Sequence, residues 1–211
     1  LSMGLIGMNM FNVQEKTWGN RFIAKSALDA AGWGVASADM GIGVTTDFGN
    51  LSASLFMTNG EGFKNSDVDD NQKLSLQLLY GEKRLDKNSG SNIGMVHSTL
   101  DDNFDNTETV TGLFGGFGTS LVRGGIEYYI KDTGSEASLM SVSMNYIAGN
   151  NITIFIRQDD KDSNIDTSNN ETETLMAGFI WSPVQGLKIC PNINKVDDSD
   201  ETYKVNFEFK F

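Results

Sequence analysis

One stretch of the 211-residue chain combines residue types and spacing that could bind calcium. Within residues 160–171, side chains with oxygen atoms occupy loop positions 1, 3, 5, 7, 9 and 12, the ligand positions of an EF-hand. Position 6 is Ile165, where the EF-hand requires glycine, and strand-like sequences flank the stretch. We interpret it as an acidic loop and keep weak Ca²⁺ binding as a hypothesis. The ligands would be Asp160, Asp162, Asn164, Asp166 and Glu171.

Residues suited to nucleophilic catalysis are scarce, since the chain has 1 His and 1 Cys. His97 and Ser98 are adjacent, and adjacent residues of a strand point to opposite faces, so they cannot pair with each other. No GxSxG elbow is present, and Cys190 is best explained as a strand residue. A single Cys also excludes an intrachain disulfide and a cysteine-based zinc site. We therefore expect no enzyme and no resident cofactor.

Charge points away from nucleic acid as a partner. The chain has 28 acidic and 16 basic side chains and a formal net charge of −12, whereas phosphate contacts need Lys and Arg. Most of the acids fall in the long connections between the elements described next. The net charge therefore describes loops and does not predict an ion selectivity.

Alternation of apolar and polar residues is the dominant pattern along the chain. In residues 202–211, Tyr203, Val205, Phe207 and Phe209 alternate with Lys204, Asn206 and Glu208, as expected of a strand with one apolar face. The same rhythm recurs and predicts twelve strands. They cover residues 2–13, 36–47, 50–59, 72–83, 90–99, 107–117, 120–131, 137–148, 151–159, 172–182, 186–196 and 202–211.

The connections between these strands tend to alternate between short and long. Membrane-spanning strands need only about 9–11 residues, and barrels of the outer membrane combine short turns with longer loops. The pattern predicts an all-β fold: one domain over residues 1–211, a transmembrane antiparallel up-and-down β-barrel. The longest strandless segment is 14–35, in which 22–31 is the best candidate for a short helix. Alternation alone also fits a secreted all-β binding domain whose apolar faces pack together.

Several segments resemble the porins of Gram-negative bacteria. Residues 4–8 (GLIGM) and 15–25 (EKTWGNRFIAK) are similar to a porin segment that reads roughly GMIGTP…EE…WGYRFV.K. Residues 37–41 (SADMG) resemble SSADLG, and 58–63 (TNGEGF) resemble VNGEGY. The last strand, which ends on Phe211, resembles the signature that the outer-membrane assembly machinery reads. The porin GTP is Gly-Met-Asn here, and WGYR is Trp-Gly-Asn-Arg.

The resemblance implies a channel in the bacterial outer membrane, in contact with its lipid and lipopolysaccharide. Its function would be ion transport and passive diffusion of small polar solutes, and it would assemble as a homotrimer. Twelve strands, an even number, could close alone. The alternative is a part of a larger barrel of about sixteen strands that lacks the N-terminal ones.

The resemblance also implies that segment 14–35 folds into the lumen as a constriction loop. Its charged residues, Lys16, Arg21 and Lys25 facing Glu15 and Asp29, would then set a transverse field. Lumen-wall residues would be Arg123, Glu127 and Arg157. The alternatives are an external loop with solvated charges and a non-conducting structural or adhesive barrel. In the latter, the segment plugs the lumen and the acidic loops bind cations or envelope components.

Overall fold

The computed structural model of the protein describes residues 1–33, 36–65, 71–101, 107–149 and 151–211. These residues form twelve strands and two short helices. In chain order they are β1 (Ser2–Gly7), α1 (Asn12–Trp18), α2 (Ala27–Ala31), β2 (Ala38–Phe48), β3 (Leu51–Thr58), β4 (Lys73–Gly81), β5 (Gly90–Asp101), β6 (Thr107–Gly118), β7 (Val122–Asp132), β8 (Glu136–Ile147), β9 (Ile152–Asp162), β10 (Glu171–Val184), β11 (Leu187–Val196) and β12 (Thr202–Phe209).

Every strand pairs with its neighbours in sequence, so the sheet order is β1 to β12 without a crossover. All of the pairings are antiparallel. This confirms the predicted all-β, up-and-down fold. Across the described residues, no ladder joins β1 to β12. The connections after β2, β4, β6, β8 and β10 lie at one end, which we call the turn end, and the others lie at the loop end.

The two faces of the sheet differ as the alternation predicts. In β8, Val142, Met144 and Tyr146 are exposed, whereas the intervening Ser141, Ser143 and Asn145 are buried. Because successive side chains of a strand point to opposite faces, one face is apolar and open and the other is covered. We call these the outer face and the inner face.

The inner face is concave. In a flat sheet, β4 and β12 would lie about 40 Å apart, at roughly 4.8 Å per strand. Yet Asn9 donates hydrogen bonds to Ser54 in β3 and to the Ser75 carbonyl oxygen in β4, while Asn206 in β12 donates to the Phe22 carbonyl oxygen. Asn9 and Phe22 belong to one compact segment. The sheet therefore curves around residues 8–33, which we call the inward segment.

The first strand is where the structure departs most from the prediction. A strand over 2–13 was expected, but β1 ends at Gly7 and α1 begins at Asn12. Met8, Met10, Phe11 and Val13 are all buried, so apolar side chains of both parities are covered, which a strand with one open face cannot do. All other strand ends lie within three residues of the predicted ones. Helix α2 is shorter than the predicted 22–31.

Neither helix in the described ranges is long and apolar enough to cross a membrane.

Candidate functional site

The inward segment runs along the inner face from the loop end toward the turn end and back. Its deepest part, at Thr17, touches two glycines that pair across β6 and β7 near their turn ends. A Cβ atom at Gly116 or Gly125 would lie 2.7 or 2.6 Å from Thr17 Cγ2. The segment then returns, and Trp33 lies near the loop end, with the Lys161 ammonium 5.8 Å from its ring centroid. Glycine at these two wall positions is what lets α1 come so close.

One side of the interior is filled by an apolar cluster. Inward-segment residues pack there against strands β4 to β8 and exclude water from that side. Burial of this much apolar surface is the main force that holds the segment against the wall. The cluster comprises Met8, Met10, Phe11, Val13, Ala27, Leu28 and Trp33 of the segment with Leu79, Val96, Val110, Phe114, Tyr129 and Leu139 of the strands.

A second apolar cluster fixes the return half of the segment. Trp18 lies edge-on to Phe155 of β9, with their ring centroids 5.7 Å apart. Met176, Ile180 and Cys190 of the next two strands complete the cluster, and Phe22, Ile23 and Ala24 pack against it.

Asn9 is the polar anchor at the entry of the segment. Its amide nitrogen lies 3.0 Å from Ser54 Oγ and 3.2 Å from the Ser75 carbonyl oxygen, and its Oδ1 accepts from Ser75 Oγ at 2.7 Å. Gln77 donates to the Asn9 carbonyl oxygen at 2.5 Å. These bonds satisfy a buried amide, which would otherwise be costly.

Two of the predicted wall residues, Arg123 and Arg157, hold the segment by its backbone. Arg123 donates to the Trp18 carbonyl oxygen at 3.1 Å, at the C-terminal end of α1, where a cation stabilises the helix dipole. Arg157 donates to the Lys25 carbonyl oxygen at 2.6 Å and is held by both carboxylate oxygens of Asp159, at 2.7 and 2.6 Å. Both guanidinium groups therefore contact the segment.

The third predicted wall residue, Glu127, is linked to the segment through Tyr129. The Tyr129 hydroxyl donates to Glu127 at 2.7 Å and accepts from the Gln14 amide at 3.0 Å. All three wall residues thus lie on the inner face, in contact with the segment or one residue away from it. That they line a conducting lumen stays a prediction.

The structure brings the five predicted constriction residues together. Arg21 bonds to Glu15 and lies 3.0 Å from Asp29, Lys25 lies 2.9 Å from Asp29, and Lys16 lies 3.8 Å from Glu15. The expected arrangement had the acids opposite the bases, whereas in the structure they are direct partners on one segment. The Asp29 side chain is 2% exposed, while those of Arg21 and Lys25 are 42% and 51% exposed. The basic groups are therefore the ones that water meets.

Two pockets lie where the segment faces β2, β3 and the neighbouring connections. The pocket at the loop end has a volume of about 490 Å³, and the one at the turn end about 260 Å³. The loop-end pocket is lined by Arg21, Lys25, Asp29, Gly32, Ala36, Ser37, Gly60, Glu61, Gly62, Phe63, Lys64 and Asn65. The turn-end pocket is lined by Asn12, Val13, Lys16, Thr45, Ser52, Ala53, Ser54, Gln77, Lys83 and Arg84.

Asp39 shapes the wall of the loop-end pocket. Its carboxylate accepts hydrogen bonds from the backbone amides of Gly60 at 2.8 Å and Gly62 at 3.2 Å. Both glycines have positive φ angles, +96° and +79°, which suit glycine best. The two segments that carry the resemblance, 37–41 and 58–63, are thus joined by this carboxylate. Their sequences alone indicate no role for either segment.

At the turn end, Arg84 and Asp86 form a two-pronged ion pair with both distances 2.8 Å. The hydrogen bonds from Arg84 lower the pKa of the Asp86 carboxyl below its ordinary value. Arg84 therefore carries a compensated charge where it lines the smaller pocket.

The predicted calcium ligands lie along the β9–β10 connection. Asp160 and Asp162 end β9, Glu171 begins β10, and Asn164 and Asp166 lie between them. Their oxygens accept internal hydrogen bonds: Asp162 accepts from the Asn164 amide at 2.9 Å, and Asn164 from the Asp166 amide at 3.0 Å. In the part of the chain that the structure describes, no three His, Cys, Asp or Glu side chains converge as metal ligands.

The residues considered for catalysis lie apart. Ser98 is buried on the inner face, and His97 lies on the outer face with its Nδ1 2.9 Å from Thr111 Oγ1. Cys190 is buried in the second apolar cluster, with the Asn192 amide 3.8 Å from its sulfur. The expectation that His97 and Ser98 cannot pair is confirmed.

The architecture is similar to that of a solved outer membrane channel. The chain superposes on the crystal structure of the outer membrane channel DcaP of Acinetobacter baumannii with a TM-score of 0.58 and 12% sequence identity. The match covers 99% of this chain and 71% of that one. The fold is similar to that of an outer membrane channel. No protein-family model matches the sequence, and no curated protein matches it significantly.

This similarity can be compared with the fold expected from the sequence. It agrees with the expected antiparallel, up-and-down β-barrel fold. At this identity the likeness concerns the fold, and the residues that interact with a solute must be argued from this chain itself.

Proposed function

We propose that the protein is a porin of the bacterial outer membrane through which small hydrophilic solutes or ions diffuse passively. The observation that carries the proposal is a charged inward segment inside a channel-like sheet, with a pocket at each end of its polar side. No energy source or cofactor is required.

The outer face supports a transmembrane position. Large apolar side chains are exposed along it, among them Leu55, Leu113, Ile126, Ile154 and Phe179. Membrane barrels present such residues to lipid, where an exposed apolar side chain has no cost. The acidic connections at the loop end would then face lipopolysaccharide, whereas the turn end would face the periplasm.

The proposed route passes the constriction residues. The apolar cluster fills space between the segment and β4 to β8, so solutes would move along the part of the segment that faces β2 and β3. The route leads from the loop-end pocket past Arg21 and Glu15 to the turn-end pocket, where Lys16 contributes to the lining. Paired charges at the narrow point would orient polar solutes and leave ion selectivity weak.

The porin resemblance also supports a homotrimer in which parts of the outer face meet. The mass of the detergent-purified particle, corrected for bound detergent, tests this proposal. A mass of one chain would contradict the trimer and leave the channel proposal intact.

Single-channel conductance of the purified protein in a planar bilayer tests the function. We expect discrete current steps, with a reversal potential in a salt gradient that reports the selectivity. A silent bilayer, with the protein shown to be inserted, would contradict the porin proposal.

The second candidate is a non-conducting structural or adhesive barrel, and the dense packing of the segment favours it. Two apolar clusters and the Arg123 and Arg157 bonds fix residues 8–33 along the inner face. In this alternative the segment is a plug, and the acidic loops bind cations or envelope components. The bilayer experiment separates the two, because a plug predicts current only after the segment has been loosened.

A further inference from the structure

The loop-end pocket has two charged poles that belong to different elements. The first pole is on the inward segment, where Arg21 and Lys25 expose their basic groups. The second is on the β3–β4 connection, where Glu61 and Lys64 line the opposite wall. With a volume of about 490 Å³, the pocket is in the range that holds small-molecule ligands.

At the first pole, the acidic side chains already have partners within the protein. Asp29 is bonded by Arg21 and Lys25, and the Ser37 hydroxyl lies 2.9 Å from its Oδ2. Glu15 is bonded to Arg21 in the same way. The two acids and two bases cancel in net charge, yet the exposed atoms are mainly N–H donors. This pole is therefore suited to accept a carboxylate.

At the second pole, an acceptor is unused. The Oε2 atom of Glu61 is buried and has no hydrogen-bond partner. An unpaired carboxylate oxygen remains available as an acceptor, and rotation of this partly buried side chain would turn it toward a ligand that donates to it. The Glu61 backbone is fixed, since Asn65 donates to its carbonyl oxygen at 2.8 Å and Asp39 binds the amides of Gly60 and Gly62.

Lys64 stands apart from Glu61 Oε2, and its ammonium lies 5.5 Å from the centroid of the Phe63 ring. The pocket wall therefore presents a separate cation and a separate anion. The lining carries three bases, Arg21, Lys25 and Lys64, and two acids, Asp29 and Glu61. Glu15 lies behind the lining, is bonded to Arg21 and offsets the third base. A neutral, two-pole pocket favours neutral, two-pole ligands over dianions or dications.

We propose that the loop-end pocket binds zwitterionic solutes of the amino acid or dipeptide class. The ligand carboxylate contacts the exposed donors of Arg21 and Lys25, and its ammonium donates to Glu61. The inference deepens the proposed function by naming the class of solute, and it rests on that function for its biological meaning. Binding itself does not require transport.

Calorimetric titration of the folded, detergent-purified chain tests the proposal with three probes of similar size. L-alanyl-L-alanine is the zwitterion, glutarate the dianion and 1,5-diaminopentane the dication. We expect the dipeptide to bind at least about tenfold more tightly than either other probe, about 1.4 kcal/mol. Equal or tighter binding of glutarate, or no dipeptide binding, would overturn the proposal.

Glu61→Gln keeps the size of the side chain and removes its charge. It should weaken dipeptide binding about tenfold and strengthen glutarate binding, because the pocket gains a net positive charge. Glu171→Gln, at the start of β10 and outside the pocket, is the matched control and should change neither. Lys64→Met provides a second variant on the same wall and should shift preference toward the dication. Unchanged ligand preference in both pocket variants would refute the assignment.

The two proposals fail separately. Current steps without dipeptide binding would leave the porin standing and remove the zwitterion site. Dipeptide binding with a silent bilayer would keep the site and contradict the porin.

Discussion

The guanidinium of Arg157 lies over the indole of Trp18, 5.2 Å from the ring centroid. The same group bonds to Asp159 and to the Lys25 carbonyl oxygen, so one side chain joins β9 to the inward segment at Trp18 and at Lys25. Such a contact adds about 0.5–2 kcal/mol beyond the hydrogen bonds. Arg157 is therefore the wall residue on which the position of the segment depends most.

Arg157→Met should loosen the segment. The substitution removes the bond to Lys25 and leaves Asp159 without its main partner, a loss of about 3 kcal/mol for a buried pair. We expect larger current fluctuations in bilayers and a red-shifted tryptophan emission. Lys195→Met, on the outer face, is the control. Identical current noise in both variants would show that Arg157 does not hold the segment.

Gly125→Ala should push α1 away from the wall. The new methyl group would lie 2.6 Å from Thr17 Cγ2, and overpacking of this kind costs about 1–3 kcal/mol. Thermal unfolding in detergent should therefore begin at a lower temperature. Combining the change with Thr17→Ser removes Cγ2 and should recover part of the loss. A double variant no more stable than Gly125→Ala would contradict this explanation.

Arg21→Ala should move the reversal potential toward cation preference. The change removes a positive charge and leaves Glu15 with only the more distant Lys16, 3.8 Å away. Negative charge then dominates at the proposed narrow point. Lys195→Ala removes a positive charge of the outer face and should leave the potential unchanged. An unmoved potential in Arg21→Ala would show that ions do not pass this residue.

Asp39→Ala should free the Gly60 and Gly62 amides. Each loses a carboxylate acceptor, and a lost hydrogen bond to a charged group costs about 1.5–3 kcal/mol. Hydrogen exchange of peptides covering 59–63 should accelerate, and dipeptide binding should weaken although Asp39 does not line the pocket. Asp47→Ala, in the turn-end half of β2, is the comparison, and exchange over 59–63 should stay slow in it.

Calcium should give no saturable heat below about millimolar concentration when titrated into the protein. The oxygens of the β9–β10 connection already accept internal hydrogen bonds, and position 6 lacks the required glycine. Submicromolar binding that Asp162→Asn abolishes would restore the calcium hypothesis.

Strand positions were predictable because a half-covered strand has period two. That rule set Arg123, Glu127 and Arg157 on the inner face, and it separated His97 from Ser98. It could not show that Arg123 and Arg157 bond to the inward segment, which lies 105 and 132 residues away in sequence at those contacts.

Residues 8–13 mark the limit of the same rule. Their alternation looked like the end of a strand, but apolar side chains at both parities signal a segment covered on all sides. The pairing of Arg21 with Glu15 and Asp29 depends on how that segment folds back. Spacing alone left open whether these charges face each other or touch.

The bond between Asn206 and the Phe22 carbonyl oxygen spans 184 residues of sequence. Contacts so far apart are slow to form, because a long loop must close before they contribute. We therefore expect the native curvature to be completed only when β12 reaches the inward segment. The inward segment would then be the surface around which the last strands close. Substitutions that loosen it should therefore lower the yield of folded protein first.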